Sequence, residues 1–126
     1  MSPLEAVFVV TAYSFGCGAT GLTQYAQREP IPFHTAAVDR SIVKGGSLLE
    51  FDAPFARGRQ WYAEDTGAAI KGFRIDLMVE NCDQARWWGV RRIRARVVGH
   101  HPRELFPGWD LRHKHPSDWW KRGLSE

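Results

Sequence analysis

Asp65 and Asp76 stand on either side of the glycine-punctuated stretch Thr66-Gly67-Ala68-Ala69-Ile70-Lys71-Gly72, a spacing that can present two acids to one groove. Phe73, Ile75 and Leu77 alternate, which predicts a strand with one face inward and Asp76 on the opposite face. Asp65 closes the strand before it. A turn through Gly67 and Gly72 would bring the two carboxyls close together, and a neighbouring like charge raises a carboxyl pKa. A carboxyl kept protonated in this way is a general acid, and carboxyls so arranged cleave glycosidic bonds. The same residues fit a plainer reading, in which Asp65 caps the turn and Asp76 is a solvated strand residue.

A third acid, Asp39, ends the run Ala36-Ala37-Val38-Asp39, which is followed by a short apolar turn, the pair Gly45-Gly46 and a strand from Ser47 to Phe51. With AVD, then AEDTGAAIKG, then RID, and then Ala85, Gly89 and a basic-apolar strand, the chain resembles the 3D domain, a family named for three aspartates, from about Val7 to Val98. The resemblance implies a mainly β fold, a six-stranded double-psi β-barrel with short helices. Such a barrel is similar to the catalytic part of membrane-bound lytic transglycosylase A and to the stationary-phase survival proteins. It further implies that Asp39, Asp65 and Asp76 are the catalytic residues of a peptidoglycan lytic transglycosylase. Asp76 would be the single general acid/base that cleaves the MurNAc-β-1,4-GlcNAc bond and closes a 1,6-anhydro ring. Asp65 would elevate or orient Asp76, and Asp39 would hold the loops or the sugar.

Around these acids, Thr66, Gly67 and Lys71 would meet the substrate from the turn, and Tyr13, Thr20 and Gln24 from the opposite wall. Thr20-Gly21 matches the family's threonine-glycine spacing only loosely. The chemistry calls for no metal and no cofactor. A module that binds wall polysaccharide without cutting it is the alternative reading. A nucleic-acid-binding domain is a third, against which stands the lack of a recognition helix or an RNP-like aromatic strand.

The elements that must position these residues follow from periodicity. At 126 residues and 44% hydrophobic, the chain is long enough for one core. Strands are predicted at Val7 to Tyr13, Ser47 to Phe51, Gln60 to Glu64, Phe73 to Glu80 and Val90 to Val98, with a short helix from Asp83 to Trp88. The first strand should be largely buried. From Leu22 to Thr35 the chain reads as a long connection, with Pro30 and Pro32 barring a regular helix. The barrel is expected to occupy residues 1–98, and residues 99–126 to form an irregular extension packed on it. Its aromatic and basic residues could alternatively meet sugar rings or lipid A. His100, His101, His113 and His115 give only a weak metal signal.

A net charge of +3 suits anionic wall polymers and nucleic acid equally. Arg92, Arg94 and Arg96 alternate with apolar residues, so they form an outward stripe that either holds an anionic polymer or protects an edge strand. Cys17 and Cys82, the only cysteines, are either free thiols or one bridge between the loops after the first strand and after the Asp76 strand. Neither sits in a nucleophile's setting. No apolar run approaches the ~18 residues of a membrane span. Ala6 to Ala12 is too short and lacks the basic start of a signal peptide. The expectation is therefore a monomer made in the cytoplasm that acts on peptidoglycan glycan strands in the periplasm or wall. It would get there through a trimmed signal or through holin-type release, as a phage endolysin does.

Overall fold

In the computed structural model, which describes residues 5–18, 21–24, 29–53 and 60–100, the alternating stretches become strands β1 (Glu5–Tyr13), β2 (Thr35–Val38), β3 (Ser47–Phe51), β4 (Trp61–Asp65), β5 (Arg74–Met78) and β6 (Arg91–His100), with helix α1 (Cys82–Trp88) before β6. The six strands close into a barrel in the order β1-β5-β2-β4-β3-β6. β1 runs parallel to β5 and β2 to β4, while the remaining neighbours are antiparallel. The closed six-stranded barrel is the fold class that the resemblance implies, and this mixture of pairings is consistent with a double-psi arrangement. β6 runs to His100, two residues past the expected end of the barrel. Residues 101–126, which carry His101, His113 and His115, lie outside the described residues.

Periodicity does not anticipate β2. All four of its residues are buried, so there is no alternation to detect, and Ala36 and Ala37 have little preference for strands. The long connection expected from Leu22 to Thr35 ends where β2 begins. β1 departs from expectation in the other direction: Phe8 and Val10 are buried, but Val7 on the outer face is 47% exposed.

Inside the barrel Phe8, Val10, Val38, Leu49, Phe51, Trp61, Ile75, Leu77 and Ile93 form one cluster. Removing each of the larger side chains from water is worth about 1.5–3 kcal/mol. Trp61 is fully buried, its ring 6.5 Å from that of Phe51 and 6.3 Å from that of Phe33.

Both ends of α1 are capped. The Asn81 side chain accepts the Gln84 N–H at 2.9 Å, and Gly89, at a positive φ of 65°, lets the chain turn away at the other end. The buried Trp88 donates its indole N–H to the Val10 carbonyl at 3.0 Å. Of the two readings open for the cysteines, the structure holds the bridge. Cys17–Cys82 ties the loop after β1 to the first residue of α1.

Because β6 pairs with both β1 and β3, it is not an edge strand, and the arginine stripe protects no edge. Arg96 instead sits 2.7 Å from Asp52, 3.2 Å from Glu5 and 3.9 Å from Glu50, across its two neighbouring strands. Arg94 lies 3.6 Å from Glu5. Among the described residues no helix is long and apolar enough to cross a membrane.

Candidate active site

The position of Asp65 depends on an irregularity in β4. Thr35 pairs with Tyr62 and Ala36 with Ala63, but Ala37 pairs with Asp65, so Glu64 is an extra residue in β4. Without it, alternation would put Asp65 on the core face with Trp61 and Ala63. A bulge of this kind re-aims the side chain that follows it. Glu64 itself is buried and turned to polar partners: Thr35 Oγ1 donates to its Oε1 at 2.7 Å, and His34 Nε2 lies 3.1 Å from its Oε2. The displaced acid is thereby anchored, and Asp65 is freed to face outward. Its Oδ1 accepts the backbone N–H groups of Gln24 and Thr66, each at 2.8 Å.

β5 presents Asp76 from the other side of β2. Ala37 is the register partner of Asp65 on one flank and of Asp76 on the other. Two strand spacings, about 10 Å between Cα atoms, therefore separate the acids, and the glycine turn alone does not bring them into contact. Both line a single cavity of about 460 Å³, along with Tyr13, Gln24, Ala37, Thr66, Gly67 and Arg74. Thr11, in register with Asp76 on the parallel strand β1, donates its hydroxyl to Asp76 Oδ1 at 2.9 Å. Burial pushes the Asp76 carboxyl above the ordinary aspartate range, against the lowering effects of the Thr11 hydrogen bond and the Arg74 charge. Burial likewise raises Asp65, against its two backbone donors. Neither carboxyl owes its shift to the other, so the expected elevation of Asp76 by Asp65 is replaced by desolvation.

Asp39 sits apart from this pair. It accepts the Gly72 N–H at 2.7 Å, and the N–H and hydroxyl of Ser41 at 2.9 and 2.8 Å. These donors, the Gly72 N–H foremost, hold its pKa down to about 2. It is a fixed anion that clamps the turn after β2 to the turn before β5, where Gly72 needs its positive φ of 70°. A second depression of about 410 Å³ opens beside Asp39, lined by Arg40, Ser41 and Lys71, and it shares Gln24 and Thr66 with the acid cavity.

The sequence profile described as "3D domain" matches residues 34–99, just over half of the 126-residue chain. The chain belongs to the 3D domain family. The match runs from β2 through β6 and leaves β1, with Thr11 and Tyr13, outside it. Among solved structures, the barrel is similar to MltA from Escherichia coli, described as having a unique lytic transglycosylase fold: 22% identity over 68% of this chain, TM-score 0.51. MltA with bound chitohexaose gives 23% identity over 66% of this chain and the same TM-score. LtgG, a lytic transglycosylase of Burkholderia pseudomallei, is 28% identical over 63% of this chain with a TM-score of 0.45. This chain spans about 29% of the MltA chain. No curated protein matches it significantly in sequence.

Within this 3D domain the anticipated site residues separate into groups. Asp65, Asp76, Tyr13, Gln24, Thr66 and Gly67 meet at the acid cavity, whereas Asp39 and Lys71 line the neighbouring depression. The Thr66 N–H is taken up by Asp65. Thr20 lies outside the described residues. Thr11 and Arg74 were not anticipated. Arg74 was within reach of the period-two rule, since it stands two residues before Asp76 on one strand face, but Thr11 depends on a strand pairing that neither strand reveals. Of the histidines weighed as metal ligands, His100 places Nε2 2.8 Å from the Gly45 carbonyl oxygen.

Proposed function

We propose that this 3D domain is a peptidoglycan lytic transglycosylase acting in the periplasm or cell wall, with Asp76 as its single general acid/base. The observation that carries the reading is the state of Asp76: a carboxyl in a cavity, raised by burial, hydrogen-bonded through one oxygen to Thr11. Family membership and the likeness of the barrel to a lytic transglycosylase fold support it.

In this reading a glycan strand crosses the acid cavity with the MurNAc-β-1,4-GlcNAc bond at Asp76. The protonated carboxyl gives its proton to the glycosidic oxygen as that bond breaks and positive charge develops at the anomeric carbon. The resulting carboxylate then accepts the proton of the muramoyl 6-hydroxyl, whose oxygen attacks the anomeric carbon and closes the 1,6-anhydro ring. The proton lost in the first step is regained in the second, so no second carboxylate is needed as nucleophile and no water is consumed. Thr11 steadies the carboxylate between the two steps. Asp65 holds the Gln24 and Thr66 backbone at the cavity wall, and Asp39 fixes the adjoining turns.

Mass analysis of purified peptidoglycan after incubation tests this directly. Products ending in 1,6-anhydromuramic acid are expected. Reducing ends would identify a hydrolase, and bound but intact sacculi a binding module. Asp76→Asn keeps the shape of the side chain and removes the transferable proton, so a folded variant should lose at least about a hundredfold in turnover. Undiminished release of muropeptides by that variant rejects the role of Asp76.

A further inference from the structure

The reaction proposed above gives Arg74 no task. Its place on β5, two residues before Asp76, puts both side chains on the face that lines the acid cavity. One guanidinium nitrogen, Nη1, reaches the Ala69 carbonyl at a long 3.5 Å. The Nε–H is shut off from water and has no hydrogen-bond partner among the described residues. Arg74 lies close enough for its charge to act on Asp76, yet no ion pair joins the two. Asp76 instead takes the hydroxyl of Thr11. A permanently charged group with a desolvated, unpaired donor is unfavourable, and the edge formed by Nε and an adjacent Nη is the one by which arginine grips a carboxylate through two parallel hydrogen bonds.

We propose that Arg74 is a specificity-determining residue that takes a substrate carboxylate, so that the cavity selects acidic glycans over neutral ones. The proposal rests on the glycan-cleaving reading of this site. Because the Nε–H is shut off even from water as it stands, the guanidinium must swing toward the cavity that Arg74 lines; a substrate anion there then supplies the partner that Nε–H lacks, whereas a neutral N-acetylglucosamine oligomer offers only weaker acceptors. Lys71 and Arg40 stand with the anionic Asp39 in the adjoining depression, which shares Gln24 and Thr66 with the acid cavity. In peptidoglycan a carboxylate has two sources: the lactyl group of muramic acid, free only where its peptide has been removed, and the acidic residues of the stem peptide.

The test compares wild type, Arg74→Gln and Arg74→Lys on three glycans: peptide-free strands and peptide-bearing strands as substrates, and chitohexaose, which has no muramoyl bond, as a neutral reference read by calorimetric binding. Arg74→Gln should raise KM about tenfold or more for an acidic substrate with kcat little altered, and leave the Kd for chitohexaose unchanged. Arg74→Lys, which keeps the charge and loses the fork, should fall between. A rise confined to peptide-free strands locates the lactyl carboxylate, and one confined to peptide-bearing strands locates the stem. Either supports the proposal.

A selective KM change separates this role from a merely electrostatic one. Loss of Arg74 removes an influence that lowers the Asp76 pKa, so the alkaline limb of the pH profile should move upward on every substrate. If only that limb moves, or if all three glycans suffer equally in variants whose melting curves match the parent, the proposal is overturned. Calorimetric binding in an Asp76→Asn background needs no turnover and separates the two ideas. A wild type that cleaves nothing refutes the reaction, while Arg74-dependent preference for acidic strands in that background still decides this proposal either way.

Discussion

Breaking the Cys17–Cys82 bridge is the perturbation whose cost can be worked out from the fold. The bridge spans 65 residues of sequence, from the loop after β1 to the start of α1. Cross-linking a loop of that length removes chain entropy from the unfolded ensemble worth about 4 kcal/mol at 25 °C. Against a total stability of roughly 5–15 kcal/mol for a domain, that is a large share. With an unfolding entropy of about 2.1 cal/mol/K per residue over the 126 residues, it corresponds to a fall in Tm of roughly 15 °C. Scanning calorimetry should give this difference between the oxidised protein and Cys17→Ser/Cys82→Ser, with the reduced parent melting near the double variant. The effect should reach the cavity as well, because Tyr13, Gly18 and Leu22 line it and the bridged cysteine lies among them in sequence. KM for soluble glycan should therefore rise at temperatures where the variant is still folded. A double variant that melts within about 3 °C of the oxidised parent would refute the entropy argument, and an unchanged KM would refute the link to the cavity wall.

Thr11→Val removes the hydroxyl that steadies the Asp76 carboxylate and keeps the side chain's shape, so the Asp76 pKa should rise further above the ordinary range. The alkaline limb of the kcat/KM profile then moves to higher pH, and a limb that stays in place removes Thr11 from the site. Asp39 has the opposite sign. Its folded pKa of about 2 lies below the ordinary aspartate value of 3.8, so its contribution is present above about pH 4 and disappears as pH falls toward 2. Asp39→Asn should flatten the acid limb of stability over that window in urea titrations, and an acid limb as steep as the parent's contradicts the clamp. Arg92→Gln/Arg94→Gln leaves the paired Arg96 untouched and should weaken adsorption to sacculi at low salt, with little difference near 0.15 M where the Debye length is about 8 Å. Weaker binding at both salt concentrations would mean a direct contact instead of long-range attraction.

Motif and alternation together make the two acids legible in the sequence. Asp76 shares β5 with the inward Ile75 and Leu77, and the period of two assigns it outward as the fold shows. β3 is legible for the same reason, from Ser47 to Phe51. What alternation cannot deliver is pairing between distant strands. Thr11 and Asp76 are 65 residues apart and meet only because β1 runs parallel beside β5. β2 is hidden differently: a fully buried strand of small residues leaves no periodic trace, yet Ala37 stands between Asp65 and Asp76 and fixes their separation.

Asp65 shows most sharply where strict alternation fails. Counting by twos along Trp61, Ala63 and Asp65 assigns the acid to the core. The bulge at Glu64 reverses that assignment, and the bulge holds because the buried Glu64 finds His34 and Thr35. A buried acid anchored by two polar neighbours thus delivers a second acid to the cavity. Strand propensities in Trp-Tyr-Ala-Glu-Asp carry no sign of this, because the partners arrive from the segment before and within β2. The motif density of AEDTGAAIKG is then understandable physically. Glu64 sets the bulge, Asp65 binds the Gln24 and Thr66 backbone, Gly67 turns so close to Ile70 that an added Cβ would lie 3.0 Å from its side chain, and Gly72 presents its N–H to Asp39. Each position is constrained by a different contact, and of Asp39, Asp65 and Asp76 it is Asp76 that combines a raised pKa with the lack of a backbone donor, where a transferable proton is useful.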